Sequence, residues 1–192
     1  MKRVVFVWGR YNPPTIGHQK LFDNAARVAR YWGADLVIYP THTQNNDKDP
    51  LKSDRKVYYL KKMFPQYADN FVYDTAVKTM FQALGKLQIE YDELVWVAGS
   101  DRVPEYGDIL RTRNGMTNKS GKIDFTFRRV ECVSAGGRDP DAEGAAGMSA
   151  SKMREAAKKV QTTKFMSGIP DTLSSSQKLQ LMQDVRNGMG LK

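Results

Sequence analysis

Two stretches of this chain gather residues suited to holding phosphate. The first is Gly9-Arg10-Tyr11-Asn12-Pro13-Pro14-Thr15-Ile16-Gly17-His18. It follows an apolar run over residues 3–8 that reads as a buried strand, and it leads into a helical pattern. Thr15, Gly17 and His18 therefore fall at a helix N-terminus, where unpaired N–H groups and the positive dipole end favour anions. Gly17 would let a ligand approach closely, and Thr15 and His18 can each donate to a phosphate oxygen. The second stretch is Met148-Ser149-Ala150-Ser151-Lys152-Met153-Arg154, after a glycine-rich run over residues 136–147. It also opens a helix. Ser149 and Ser151 bring hydroxyls, and Lys152 and Arg154 bring charge, a set suited to the β- and γ-phosphates of a nucleoside triphosphate. Each pattern alone also suits ordinary helix capping; the two in this order point to nucleotide chemistry.

The first stretch resembles the [HT]-x-G-H motif of the nucleotidylyltransferase superfamily. Its Asn-Pro-Pro-Thr form is most similar to nicotinamide- and nicotinate-nucleotide adenylyltransferases. The second is similar to that family's Ile-Ser-Ser-Thr-x-Ile-Arg signature, with Met148 in place of Ile and Ala150 in place of a hydroxyl residue. Two further segments, Thr41-His42-Thr43-Gln44 with Lys48-Asp49-Pro50-Leu51 and Gly99-Ser100-Asp101-Arg102, resemble family loops that meet the acceptor and the nucleoside. His42 reads equally as a surface-loop histidine, and Asp101 as a helix cap.

The resemblance spans residues 1–160. It implies an α/β fold, a doubly wound parallel sheet of Rossmann-like nucleotidylyltransferase type, with a helical extension over residues 161–192. It implies that Gly9, Arg10, Tyr11, Asn12, Gly17, His18, Asp101, Met148, Ser149, Ser151 and Arg154 bind ATP. Thr15, His18 and Arg154 would be catalytic, and His42, Lys48 and Arg102 would meet the acceptor or its phosphate. Magnesium would arrive with ATP, and no protein metal site is expected. The implied reaction transfers AMP from ATP to the phosphate of a mononucleotide, with nicotinamide mononucleotide the expected acceptor. A phosphate oxygen is already ionised at neutral pH, so no strong base is required and catalysis reduces to positioning and charge stabilisation.

The elements that must position these residues follow from periodicity. Strands are expected over residues 3–8, 35–39, 70–73, 93–98 and 125–133. Leu21, Ala25, Val28 and Trp32 share one face of a first helix ended by Gly33. Further helices are expected up to Met63 with Ser53 or Asp54 as cap, over 75–85, 104–110 and 149–160, and near the C-terminus with Leu181, Val185 and Met189 on one face. Residues 111–124 read as a basic loop. Alternating strands and helices argue for right-handed crossovers and a parallel sheet.

Composition narrows the remaining classes. The chain has 192 residues, 41% hydrophobic and 27% charged, enough apolar content for a folded core. No run approaches the ~20 apolar residues of a spanning helix, and the N-terminal run is too short for a signal peptide, so a cytoplasmic location is expected. One cysteine, Cys132, cannot form an internal disulfide, and with two histidines it makes a poor zinc set. Cys132 and the three tryptophans, Trp8, Trp32 and Trp96, are expected in the core. The net charge of +9 is concentrated toward both ends and suits anionic partners. Small-molecule nucleotides and a second copy of the chain are the expected partners, with neither membrane nor nucleic acid. The rival readings are a cytidylyltransferase acting on a phosphorylated alcohol such as glycerol 3-phosphate, a pantetheine-phosphate or flavin adenylyltransferase, and an RNA-binding or scaffold protein. The basic segment 111–129 and a faint likeness of Gly147-Met148-Ser149-Ala150-Ser151-Lys152 to a class I synthetase element support the last of these.

Overall fold

In the computed structural model the described residues are 1–137 and 147–192; most of the glycine-rich run, residues 138–146, lies outside them. The continuous apolar runs become the central strands. β1 (Arg3–Gly9) has Val4 to Val7 fully buried, and β3 (Glu93–Ala98) is buried along its whole length. They lie inside a four-stranded sheet of order β2-β1-β3-β4, with β2 (Asp35–Pro40) and β4 (Arg129–Ser134) at its edges. β1 pairs in parallel with β3, placing Phe6 opposite Trp96, and β3 pairs in parallel with β4, placing Trp96 opposite Cys132. The strand order reverses between β1 and β3, the switch that defines a doubly wound sheet. The α/β, Rossmann-like class expected from the sequence is the class observed.

The chain forms two compact units. The first comprises Met1–Trp8, Lys20–Tyr39 and Asp74–Gly137; the second comprises Gly9–Gln19, Pro40–Tyr73 and the described part of Arg138–Lys192. In the first, Trp96 stacks on Tyr106 at 4.1 Å between centroids, and Phe6 meets it edge-on at 4.9 Å. Of the three tryptophans only Trp96 is fully buried. Trp8 is half-buried, and so is Trp32, whose ring is flanked by the guanidinium groups of Arg129 at 4.6 Å and Arg3 at 5.8 Å. The cations cover a ring that the core does not. Cys132 is half-buried on the edge strand, and burial pushes its thiol up to about 11.

Four element expectations are corrected. Residues 70–73 form no strand; Phe71 makes one bridge and anchors the segment by burying its side chain. The helix expected over 75–85 is α3 (Met80–Glu90), because Thr79 and Gln82 form a reciprocal capping box that starts it later. The last strand begins at Arg129, although Phe125 and Phe127 alternate inward before it and are both buried. α2 (Ser53–Met63) is preceded by Lys52 with no side-chain cap, so neither Ser53 nor Asp54 occupies the cap position. α1 (His18–Trp32) and α4 (Val103–Arg113) lie where expected, to within a turn.

The second unit holds α2, α5 (Ala150–Lys158), an additional short helix α6 (Thr162–Ser167) and α7 (Ser175–Gly188). α7 ties the others together. Tyr59 of α2 donates to Asp184 at 2.6 Å, Arg55 donates to the same carboxylate at 3.1 Å, and Arg186 donates to the Ala157 carbonyl of α5 at 2.8 Å. Among the described residues no helix is long and apolar enough to cross a membrane.

Gly188 ends α7 against the backbone of Pro50. A Cβ there would lie 2.0 Å from the Pro50 carbonyl oxygen, and a backbone atom cannot step aside as a side-chain tip can. Gly188→Ala should therefore destabilise the protein by about 1–3 kcal/mol, the usual cost of overpacking. Urea denaturation checks this, and an unchanged midpoint would show that the Pro50 contact is dispensable.

Candidate active site

The first motif leaves the end of β1 and closes on itself. The Gly9 carbonyl accepts from Thr41 N–H at 2.9 Å. Tyr11 then adopts φ of 47°, a left-handed conformation that costs a non-glycine residue of order 1–3 kcal/mol. Its ring folds back over Gly9, where an added Cβ would sit 2.5 Å from the ring, and it meets the His18 ring edge-on at 5.0 Å. Glycine at position 9 thus seats the tyrosine. The Asn12–Pro13 peptide is cis.

Asn12 is buried and its side-chain amide behaves like a backbone group. Its Oδ1 accepts from Leu51 N–H at 2.8 Å and its Nδ2 donates to the Leu51 carbonyl at 3.2 Å. Thr15, also buried, accepts through Oγ1 from Gly17 N–H at 3.1 Å. Its own N–H donates to Nδ1 of His18 at 2.9 Å. A backbone N–H can only donate, so Nδ1 carries no proton and the neutral ring bears its hydrogen on Nε2. The imidazole therefore presents an N–H donor at Nε2, held in place by Thr15 behind and Tyr11 beside it.

The second motif comes to the first within the same unit. Ser149 caps α5 by accepting from Lys152 N–H at 3.2 Å. Arg154, one turn on, donates through Nη1 to the Asn12 carbonyl at 2.9 Å and through Nη2 to Ser151 Oγ at 3.1 Å. Burial lowers the basicity of Arg154, and Asp49 and Asp47 oppose that effect; a guanidinium stays charged regardless. Met148 and Met153 pack on Gly168, whose carbonyl accepts from Ile16 N–H at 2.8 Å. Residues 142 positions apart in the chain are thereby joined around Asn12.

The loop after β2 completes the second unit's polar cluster. Asn45 Oδ1 accepts from the N–H groups of Asp47, Lys48 and Asp49, which makes a tight turn. Lys48 stands exposed on that turn, and the half-buried His42 lies 5.7 Å from the Tyr73 ring. Arg10 is mostly exposed, with Nη1 3.9 Å from Asp49 Oδ2. Asp101 and Arg102 belong to the first unit. Asp101 crowds Gly99, where a Cβ would come within 2.9 Å of its carboxylate, and Arg102 pairs with Glu105 at 2.7 Å on the surface. α4 has Arg102 in its cap position with no side-chain cap bond. Among the described residues no group of three or more histidine, cysteine or carboxylate side chains could hold a metal ion.

Comparison with known proteins gives the family and the fold. The model of the cytidylyltransferase-like family matches residues 6–165, most of the chain and both motifs. The chain belongs to the cytidylyltransferase-like family. No curated protein matches it in sequence. Among solved structures, it is similar to a Vibrio parahaemolyticus protein assigned as a nicotinate-nucleotide adenylyltransferase, with TM-score 0.53 and 15% identity over 93% of this chain and 99% of that one. It is also similar to Thermotoga maritima TmcAL bound with alpha-thio ATP, with TM-score 0.52 and 13% identity over 98% of this chain and 57% of that one. At such identities the likeness establishes the fold.

Two buried charges in this cytidylyltransferase-like protein escape motif reading. Asp49 is 1% exposed, and one of its oxygens, Oδ1, has no hydrogen-bond partner among the described residues. Lys56 of α2 is fully buried and donates to the Thr41 carbonyl at 2.5 Å. The spacing Lys56-Leu60-Met63 does put the lysine on the apolar face of α2, a signal the sequence carries. Burial pushes its amine down to about 8, with Arg10 adding to the effect and Asp49 opposing it.

Between about pH 8 and the ordinary lysine range, the unfolded chain keeps a proton that folded Lys56 has released, so rising pH favours the folded state through this group. Wild type should therefore gain on Lys56→Met in urea midpoint as pH rises from 7 to about 10. A gap between the two that stays constant over that range would refute the assignment.

Proposed function

We propose that this protein transfers AMP from ATP to the phosphate of a mononucleotide, with nicotinamide mononucleotide as acceptor, giving the dinucleotide NAD and pyrophosphate. The observation that supports the reading is a pair of donor groups fixed from opposite ends of the chain. His18 has its Nε2–H directed by the Thr15 bond at Nδ1, and Arg154 is anchored on the Asn12 carbonyl. Family membership supports nucleotidyl transfer. The Asn-Pro-Pro-Thr form of the first motif supports adenylyl transfer to a pyridine mononucleotide.

An ionised phosphate oxygen of the acceptor attacks the α-phosphorus in line. One P–O bond forms there as the bond to the α–β bridging oxygen breaks, and pyrophosphate leaves with the electron pair. No proton need be removed from the nucleophile. His18 stabilises charge at the α- and β-phosphates, while Ser149, Ser151 and Arg154 hold the β- and γ-phosphates at the start of α5. Thr15 acts through His18 by fixing which nitrogen donates. His42 and Lys48 receive the acceptor phosphate. Magnesium would enter with the ATP substrate and would neutralise charge on its phosphates.

Pyrophosphate release tests the reading, with ATP and CTP each crossed with nicotinamide mononucleotide, nicotinate mononucleotide, phosphopantetheine, flavin mononucleotide and glycerol 3-phosphate. Release with ATP and nicotinamide mononucleotide is expected. His18→Ala should lower kcat by about 100-fold or more, the size of a lost donor to developing charge. Release only with CTP would move the protein to alcohol-phosphate chemistry, and a near-normal kcat for His18→Ala would remove the histidine from the mechanism.

A further inference from the structure

Lys56 is a puzzle for packing alone. An ammonium taken wholly out of water costs several kcal/mol unless paired, and an apolar side chain of similar length would fill the space without that cost. Yet among the described residues no carboxylate lies within the 4.0 Å of an ion pair. What Lys56 does hold is one residue. Its Nζ donates to the Thr41 carbonyl and lies 3.4 Å from Thr41 Oγ1, while Thr41 N–H is held by the Gly9 carbonyl at 2.9 Å. Both polar ends of Thr41 are thus fixed where the chain leaves β2. The next residue is His42, and the turn bearing Lys48 follows.

The charged groups that reach Lys56 come from two loops. Asp49 lies on the Asn45 turn and Arg10 on the first motif. Asp49 accepts from Asn45 Nδ2 at 3.0 Å and lies 3.9 Å from Arg10. The carboxylate therefore pairs with Arg10, near the outer limit of an ion pair, and not with Lys56, so these three groups together keep one surplus positive charge.

We propose that Lys56 is a positioning residue for the acceptor: its ammonium holds the Thr41 carbonyl, orients the Thr41–His42 peptide, and so sets the backbone from which His42 and Lys48 receive an anionic phosphate. This rests on the nucleotidyl-transfer reading for the identity of the ligand, not for the hold on Thr41. Lys56 touches no substrate; it acts through the peptide bond it polarises and through the charge it keeps under the loop. A neutral amine does neither as well, so the acceptor is held best below about pH 8. The acceptor phosphate is itself fully ionised from pH 7.5 upward, so its own titration does not mimic the effect.

Two measurements test this on the full chain. In steady-state kinetics with ATP and nicotinamide mononucleotide, Lys56→Met should raise the acceptor KM about tenfold and leave the ATP KM within about twofold. The wild-type acceptor KM should climb as pH passes through about 8, while Lys56→Arg, charged throughout, should keep a low acceptor KM with no such climb. Equal rises in both KM values, or a flat wild-type profile, would overturn the proposal. The second measurement needs no turnover. The His42 amide, which shares its peptide with the Thr41 carbonyl, should show a step in 15N chemical shift near pH 8 in wild type and none in Lys56→Met or Lys56→Arg. Failure of every acceptor to release pyrophosphate would sink the function proposed above, and the amide step would then decide the role of Lys56 alone: its absence in wild type, or its persistence in Lys56→Met, overturns the hold on Thr41.

Discussion

The second unit depends on how the backbone at Asn12 is satisfied. A buried loop must find partners for every N–H and carbonyl it hides, and Asn12 solves this for three segments at once. Its side-chain amide pairs with both backbone groups of Leu51, and its carbonyl takes Arg154. Leu51 follows the Pro50 that α7 abuts through Gly188. The first motif, the loop after β2 and the start of α5 thus share one polar junction, and the end of α7 packs against Pro50 next to it. Burial strengthens each of these bonds and makes each costly to leave unmade, so the junction behaves as a unit.

Around that junction the motif side chains are largely engaged with one another. Thr15 serves Gly17 and His18, Ser149 serves Lys152, and Ser151 serves Arg154. Under the proposed function, these bonds would keep cations and donors aimed before a phosphate arrives. Preorganised donors need no rearrangement when charge develops, which is where most of their catalytic worth lies. The strained backbone at Tyr11 belongs to the same design, since the ring it throws over Gly9 also braces His18.

The sheet was legible because fully buried strands have to be continuous apolar runs, as Val4 to Val7 and Leu94 to Ala98 are. Both motifs were legible because helix N-termini that bind anions need hydroxyls, glycine and cations in a few adjacent positions. Element starts were less so. Thr79 and Gln82 set the beginning of α3 through a capping box that competed with an equally helical stretch before it, and Phe125 and Phe127 alternate like a strand without pairing as one. α6 carries too few residues to show a period. Asn12 was read as an ATP contact, whereas the bonds observed on its side chain go to Leu51, a pairing across 39 residues that no local pattern announces. Asp49 lay in a polar loop, where nothing in the sequence marks a residue as buried.

The same engagement bears on where specificity for the acceptor resides. A shared fold and shared motifs fix a type of chemistry better than a particular substrate, so related sites can keep both while acting on different molecules. Under the function proposed above, discrimination would fall to groups with reach to spare. In the second unit these lie on the loop after β2: Lys48 is exposed on the Asn45 turn, and His42 is half-buried against Tyr73. The loop is attached at one end by Thr41 to Gly9 and Lys56 and at the other by Leu51 to Asn12, with Arg10 pairing to Asp49 between them. The buried lysine at the first of those ends holds the Thr41 carbonyl where the loop begins.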